Sequence, residues 1–149
     1  MAGLLVGSAL MGNPFRVLGI SVQQSTAFMI PNILQKVGSA AALLGLDLQP
    51  ESKDIMLDDR WIGPGYAVLT PECVDAMKHA ARAEGIVLDP VYTSKALAGV
   101  LGRIREGSLT SEDTVVFLHT GGTPAIFAFA DQLGAAFREE SGDVEVVRE

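Results

Sequence analysis

The stretch Thr114–Phe127 reads TVVFLHTGGTPAIF, and its reading decides the fold. Thr114–His119 (TVVFLH) is a short run of β-branched and apolar residues, the pattern of a buried strand. Thr120-Gly121-Gly122 reads as a turn. Thr123 and Pro124 predict the cap and first turn of a helix running to Arg138. A strand, a glycine turn and a helix in that order make the junction of a βα unit. The same alternation recurs outward from it. Ser94–Glu106 predicts an amphipathic helix with Leu97, Val100, Leu101 and Ile104 on one face, ended by Gly107. Ile86–Tyr92 reads as extended, with Asp89 held there by Pro90. The helix before it is the best marked: Thr70 caps, Pro71 starts, Gly85 stops, and Val74, Met77 and Ala81 recur at helical spacing. Further back, the chain predicts a helix over Ala2–Met11, a strand over Phe15–Val22, a helix over Thr26–Leu46 delayed or kinked by Pro31, and a short strand over Asp54–Asp58.

Strands alternating with helices imply an α/β fold, an open and mainly parallel sheet with helices on both faces. The first helix has no strand and no capping residue ahead of it, which predicts that the chain opens inside a βαβ unit. A length of 149 residues predicts a single α/β domain over residues 1–138, followed by a charged tail at 139–149.

Charge narrows the function classes. Eleven basic against 18 acidic residues give a net charge of −7, which argues against nucleic-acid backbones and anionic membrane surfaces as partners. Met1–Gly12 is apolar but lacks a basic leader and stops at Asn13-Pro14, so it does not read as a secretion signal. No apolar run is long enough for a transmembrane helix. One cysteine, Cys73, excludes an intrachain disulfide framework and predicts a reducing cytoplasm.

Three places could carry chemistry. At Thr120–Thr123 two glycines admit a ligand close to the backbone, or simply make a tight turn. Leu88–Lys95 sets a tyrosine, two hydroxyls and a lysine at a helix start, which is equally the composition of a capping turn. Tyr66 follows the rigid Gly63-Pro64-Gly65 and either packs or presents its phenol. Cys73 reads as a buried structural thiol. His79 and His119 lack metal-ligand spacing, so no metal site is expected. Gly63 and Gly65 lack the third glycine of a nucleotide-binding fingerprint.

Four separated blocks then point to one family. Glu84–Ala96 (EGIVLDPVYTSKA) followed by Gly99, Phe117–Phe127 (FLHTGGTPAIF), Gly63–Ala67 (GPGYA), and Ala2–Gly7 continuing through Phe15–Val22 together resemble the D-cysteine desulfhydrase/ACC deaminase family. These are pyridoxal-phosphate enzymes of the tryptophan-synthase β-like fold. The resemblance covers roughly residues 1–130, in family order. It implies pyridoxal 5′-phosphate as cofactor, a small amino acid as substrate and a homodimer as assembly. It also implies Tyr66 and Tyr92 as catalytic phenols facing the substrate, with Thr93, Thr120, Gly121 and Gly122 bordering the cofactor. Whether each phenol steers the substrate carboxylate or moves a proton stays open.

The departures refine this. The family's glycine-rich phosphate loop precedes the segment matching Ala2-Gly3, and its Schiff-base lysine lies earlier still. Lys36, Lys53, Lys78 and Lys95 do not sit in that lysine's motif. The chain is therefore expected to correspond to the C-terminal part of such an enzyme and to be inactive alone. ACC deaminases carry Glu where this chain has Thr93 and Leu where it has Thr120. A carboxylate beside the pyridine nitrogen keeps that nitrogen protonated and strengthens the electron sink that ring opening needs. A neutral hydroxyl suffices when a thiol leaves. The resemblance thus implies D-cysteine desulfhydration, with ACC deamination and cysteate sulfo-lysis as alternatives in the family. A non-catalytic fragment or oligomerisation module is the alternative outside it.

Overall fold

The computed structural model describes residues 1–138, so the expected tail at 139–149 lies outside the described residues. The described chain forms two compact units, Met1–Ile62 and a second that starts at Gly63.

In the first unit, α1 (Ala2–Leu10) packs on α2 (Thr26–Leu43), and β1 (Leu18–Ile20) pairs with β2 (Met56–Asp58). The pairing is parallel, Leu18 to Met56, Gly19 to Leu57 and Ile20 to Asp58, so α2 is the crossover of a βαβ unit. Both strands are shorter than their sequence pattern. Residues 52–54 are taken by a 3-10 turn instead, in which the side chains of Glu51 and Asp54 cap each other's backbone. Pro31 neither delays nor ends α2. Ser25 starts the helix by accepting from the Phe28 N–H, and the helix runs on through Pro31. Gly19 is a close approach: a Cβ there would lie 2.7 Å from the Met1 sulfur and 2.9 Å from Leu57. Val6, Ile33, Val37 and Ile55 form an apolar core, as the amphipathic pattern requires.

In the second unit, α3 (Pro71–Glu84) has the ends its sequence predicts. Thr70 accepts from the Cys73 N–H at 3.3 Å, and Gly85 closes the helix at φ 67°. Of its expected stripe, Val74 and Met77 are buried while Ala81 is exposed. The next helix, α4 (Thr93–Arg105), buries a different face from the expected one. Thr93, Ser94, Lys95, Ala98, Gly99 and Gly102 are buried, whereas Ile104 is exposed. Small side chains on that face let α3 pack closely on α4.

The expected final helix divides into α5 (Ala125–Ala128) and α6 (Ala130–Arg138), and Pro124, not Thr123, occupies the position before α5. Thr114–His119 is not the buried strand its composition suggests. It pairs with no strand among the described residues, and Val116 and Leu118 are exposed. A ladder needs a neighbour, and only Phe117 of this run packs on the unit's core of Met77, Ala80, Leu88 and Leu133.

Candidate active site

The second unit buries four chemical groups close together in the chain, a feature that periodicity gives no reason to expect. Asp89, Thr93, Ser94 and Lys95 are each no more than 1% exposed. Asp89 organises them. Its carboxylate accepts from the backbone N–H groups of Val91 and Tyr92 (both 2.8 Å) and of Thr93 (2.7 Å). The Thr93 hydroxyl donates to the same carboxylate at 2.6 Å and accepts from the Asp89 N–H at 2.9 Å. The Asp89 carbonyl takes the Ser94 N–H. The otherwise orphaned donors at the start of α4 are thus satisfied by one residue, whose negative charge sits favourably at a helix N-terminus. Burial pushes the Asp89 carboxyl up. The hydrogen bonds from the Thr93 hydroxyl and from the Thr93, Tyr92 and Val91 amides outweigh that and leave it below the ordinary carboxylate value.

This turn aims Tyr92 outward, where its hydroxyl meets that of Tyr66. The rings lie 6.0 Å apart between centroids and are tilted by 60°. Tyr66 is carried by the Gly63–Ala67 loop. Ala67, where the GPGYG pattern has glycine, adopts φ 58°. The phenols are 46% and 42% exposed, so a small ligand reaches both. The hydrogen bond to Tyr66, with burial and the nearby Tyr66 and Asp89 charges, raises the Tyr92 pKa.

The turn at Thr120–Gly122 comes to the same place. Gly121 and Gly122 have φ 92° and 90°. A Cβ on Gly122 would lie 2.8 Å from the Asp89 side chain. The backbone therefore rests against the carboxylate that holds Tyr92, and only glycine allows it. His119 braces the turn: Nδ1 accepts from the Gly121 N–H and Nε2 meets the Val87 carbonyl, both at 3.2 Å. Thr120 is exposed. The helix after the turn is only the four-residue α5, so the backbone of the turn itself is what could meet a ligand here.

Sequence reasoning placed Ser94 and Lys95 at this helix start without a role at the site, and read Asp89 only as extended backbone before Pro90. Ser94 Oγ is buried without a hydrogen-bond partner, and Lys95 Nζ donates to the Gly65 carbonyl at 3.1 Å. The available signal was the charged pair Asp89 and Lys95 within one capping segment. An open groove of about 570 Å³ along α3 and α4, lined by Asp75, His79, Arg82 and Arg105 among others, contains none of the expected site residues. Among the described residues no group of three or more His, Cys, Asp or Glu could hold a metal ion, and no helix is long and apolar enough to cross a membrane.

Residues 1–121 match the family described as pyridoxal-phosphate dependent enzyme. The chain belongs to that family. It is also similar to a solved structure, "Crystal Structure Analysis of the ACC deaminase homologue", with 31% identity and a TM-score of 0.80 over 91% of this chain. The chain spans 40% of the length of that relative. The α/β class, the parallel pairing and the fold of the pyridoxal-phosphate family thus stand as read from the sequence. The residues present also fit the cofactor on their own chemistry. An unpartnered buried hydroxyl at Ser94, and a glycine turn in which Gly122 bares its backbone beside Asp89, are features a packed core does not need.

Proposed function

We propose that this chain carries part of the active site of a pyridoxal-phosphate-dependent carbon–sulfur lyase of the D-cysteine desulfhydrase type. The reaction takes D-cysteine and water to pyruvate, sulfide and ammonia. The observation that supports it best is the pairing of the Tyr66 and Tyr92 hydroxyls, two exposed phenols brought together from segments 26 residues apart. Thr93, Ser94, Thr120, Gly121 and Gly122 would border the cofactor. The Thr93 hydroxyl already donates to Asp89, so Ser94 supplies the uncommitted donor. Once bound, pyridoxal phosphate supplies the electron sink for bond breaking next to the substrate's α-carbon.

The chain's own residues do the rest. Two phenols carry two protons, and their mutual hydrogen bond uses one. The other is left to donate to the substrate carboxylate. Tyr92, like any phenol, is a donor at neutral pH, and its raised pKa extends that to more alkaline conditions. Neutral Thr93 and Thr120, in place of the Glu and Leu of ACC deaminases, favour loss of a thiol over ring opening. We further propose that residues 1–138 form part of one cofactor-binding domain and 139–149 a charged tail, in a dimeric protein of the cytoplasm.

ACC deamination is the second reading, favoured by the likeness to the solved ACC deaminase homologue. Expressed from its native gene context and loaded with pyridoxal phosphate, the protein should release sulfide from D-cysteine and form no 2-oxobutanoate from ACC. The reverse pattern replaces the first reading with the second. Activity on neither, or on cysteate alone, overturns both.

A further inference from the structure

We propose that Lys95 is the positioning residue of the tyrosine pair: its buried ammonium holds the Gly65 carbonyl and thereby keeps the Tyr66 hydroxyl on that of Tyr92. That these phenols are catalytic rests on the reading above; that Lys95 places them rests on geometry alone.

Lys95 sits in the first turn of α4, where a positive charge opposes the helix dipole, and it is fully buried. Helix stability therefore gives no reason for a lysine there, and neither does apolar packing. Its ammonium donates instead to the Gly65 carbonyl, among its contacts. That carbonyl belongs to the peptide plane joining Gly65 to Tyr66, so fixing it fixes the backbone from which the Tyr66 ring springs. Leu69 and Thr70 anchor the far end of the loop on the core and on α3, and the Lys95 bond fixes the part next to Tyr66. Residues 63–70 contain no helix or strand, Gly63 and Ala67 both have positive φ, and the Val68 N–H meets the same Gly65 carbonyl at a long 3.4 Å. At the other end, Tyr92 precedes Lys95 by three residues, which sets the two on adjacent positions of one helical turn. One side chain therefore ties the loop bearing Tyr66 to the helix start bearing Tyr92. Burial lowers the Lys95 pKa, opposed by the nearby Cys73 sulfur; the carbonyl is the kind of acceptor that keeps such an ammonium charged.

The chain contains only two tyrosines, so its phenolate absorbance titration reads this pair alone. The unsubstituted chain should show a step displaced above the ordinary tyrosine value. Tyr66→Phe should cut the displacement to the part that burial and Asp89 leave, and so give the signature of a separated pair. Lys95→Met should cut it to the same level, with far-ultraviolet circular dichroism retained, and Lys95→Gln, which keeps an N–H donor, should restore most of it. A step displaced as far in folded Lys95→Met as in the unsubstituted chain overturns the proposal. Should that variant fail to fold, the unsubstituted chain decides by NMR. A solvent-protected Lys95 ammonium with contacts to the Gly65 and Tyr66 protons upholds the proposal, and an ammonium without them ends it. Neither readout involves cofactor or turnover. If Lys95 governs the titration but Tyr66→Phe leaves the loaded enzyme's turnover unchanged, the catalytic reading fails while the positioning role stands.

Discussion

Each of the two units is stabilised internally in a different way. The first buries Val6, Ile33, Val37 and Ile55 around a two-stranded parallel pair, and its buried polar residues Ser8, Ser21 and Asp58 are scattered along the chain. The second has a comparable apolar cluster but adds Asp89, Thr93, Ser94 and Lys95, all buried within seven residues of chain. Apolar burial stabilises without needing orientation. Buried polar groups cost free energy unless every one is wired, and the wiring fixes geometry. The first unit therefore reads as scaffold. The second has accepted the cost of a polar centre, and what that centre fixes is the place of two phenols and a glycine turn.

The largest expected effect tests the wiring. Asp89→Ala strands the amides of Val91, Tyr92 and Thr93 and the Thr93 hydroxyl. Each orphaned buried donor costs about 1–3 kcal/mol, so the total should be on the order of 4 kcal/mol or more. Urea unfolding followed through the tyrosines measures it. The acid limb should change as well. Because the folded carboxyl of Asp89 lies below its unfolded value, its contribution is complete above the ordinary carboxylate range. It fades as pH falls through the lowered folded value, and Asp89→Asn should remove that dependence. The counterpart in the first unit is Ile33→Ala, 5% exposed in an apolar core, which should cost about 3 kcal/mol without altering the acid limb. Trp61, the chain's one tryptophan, reports it. A cheaper Asp89→Ala than Ile33→Ala would break the contrast between the units.

That contrast was half legible in the sequence. The apolar side was open to reading: composition located α1 and α2, cap and stop residues α3, helical spacing α4, and the alternation of strands with helices the parallel sense of β1 and β2. The motif blocks gave the tyrosines and the glycine turn. Three things were not legible. The strand over Thr114–His119 depends on a neighbour that no local pattern supplies. The buried face of α4 is made of small and polar residues, whereas a hydrophobic stripe points to Leu97, Leu101 and Ile104. The roles of Asp89 and Lys95 rest on hydrogen bonds to backbone atoms, and side-chain identity does not announce those. Charged residues read as solvated faces unless something reveals their burial.

The glycine turn offers a finer test of the same polar centre. Gly121 and Gly122 have nearly equal positive φ, so alanine strains the backbone alike at both. Only at Gly122 does the added methyl strike Asp89; at Gly121 nothing lies within 4 Å. Gly121→Ala should cost about 1 kcal/mol, and Gly122→Ala about 2 kcal/mol with a change in the tyrosine titration. Chemical denaturation of the two variants side by side measures the difference. Equal costs would mean that the turn does not press on the carboxylate.

The smallest expected effect compares one helix cap from each unit. Ser25 accepts from the Phe28 N–H at 3.4 Å on an exposed turn, and Thr70 accepts from the Cys73 N–H at 3.3 Å on a half-buried one. Both are hydroxyl caps, so each replacement by alanine falls within the usual range of about 0.5–2 kcal/mol. The surroundings separate them. Water replaces the lost acceptor at Ser25, whereas Cys73 is fully buried. Thr70 also does more than cap: its methyl lies where a Cβ on Gly63 would be, against the start of the loop that carries Tyr66. Ser25→Ala should therefore cost about 0.5 kcal/mol and leave the tyrosines untouched. Thr70→Ala should cost about 1 kcal/mol and loosen the loop, while Thr70→Ser, which keeps the hydroxyl but drops the methyl, should restore the cap alone. Thermal melts give the energies, and the phenol titration separates the two contributions of Thr70. A titration unchanged in both Thr70 variants would confine that residue to capping and leave the hold on the Tyr66 loop to Lys95.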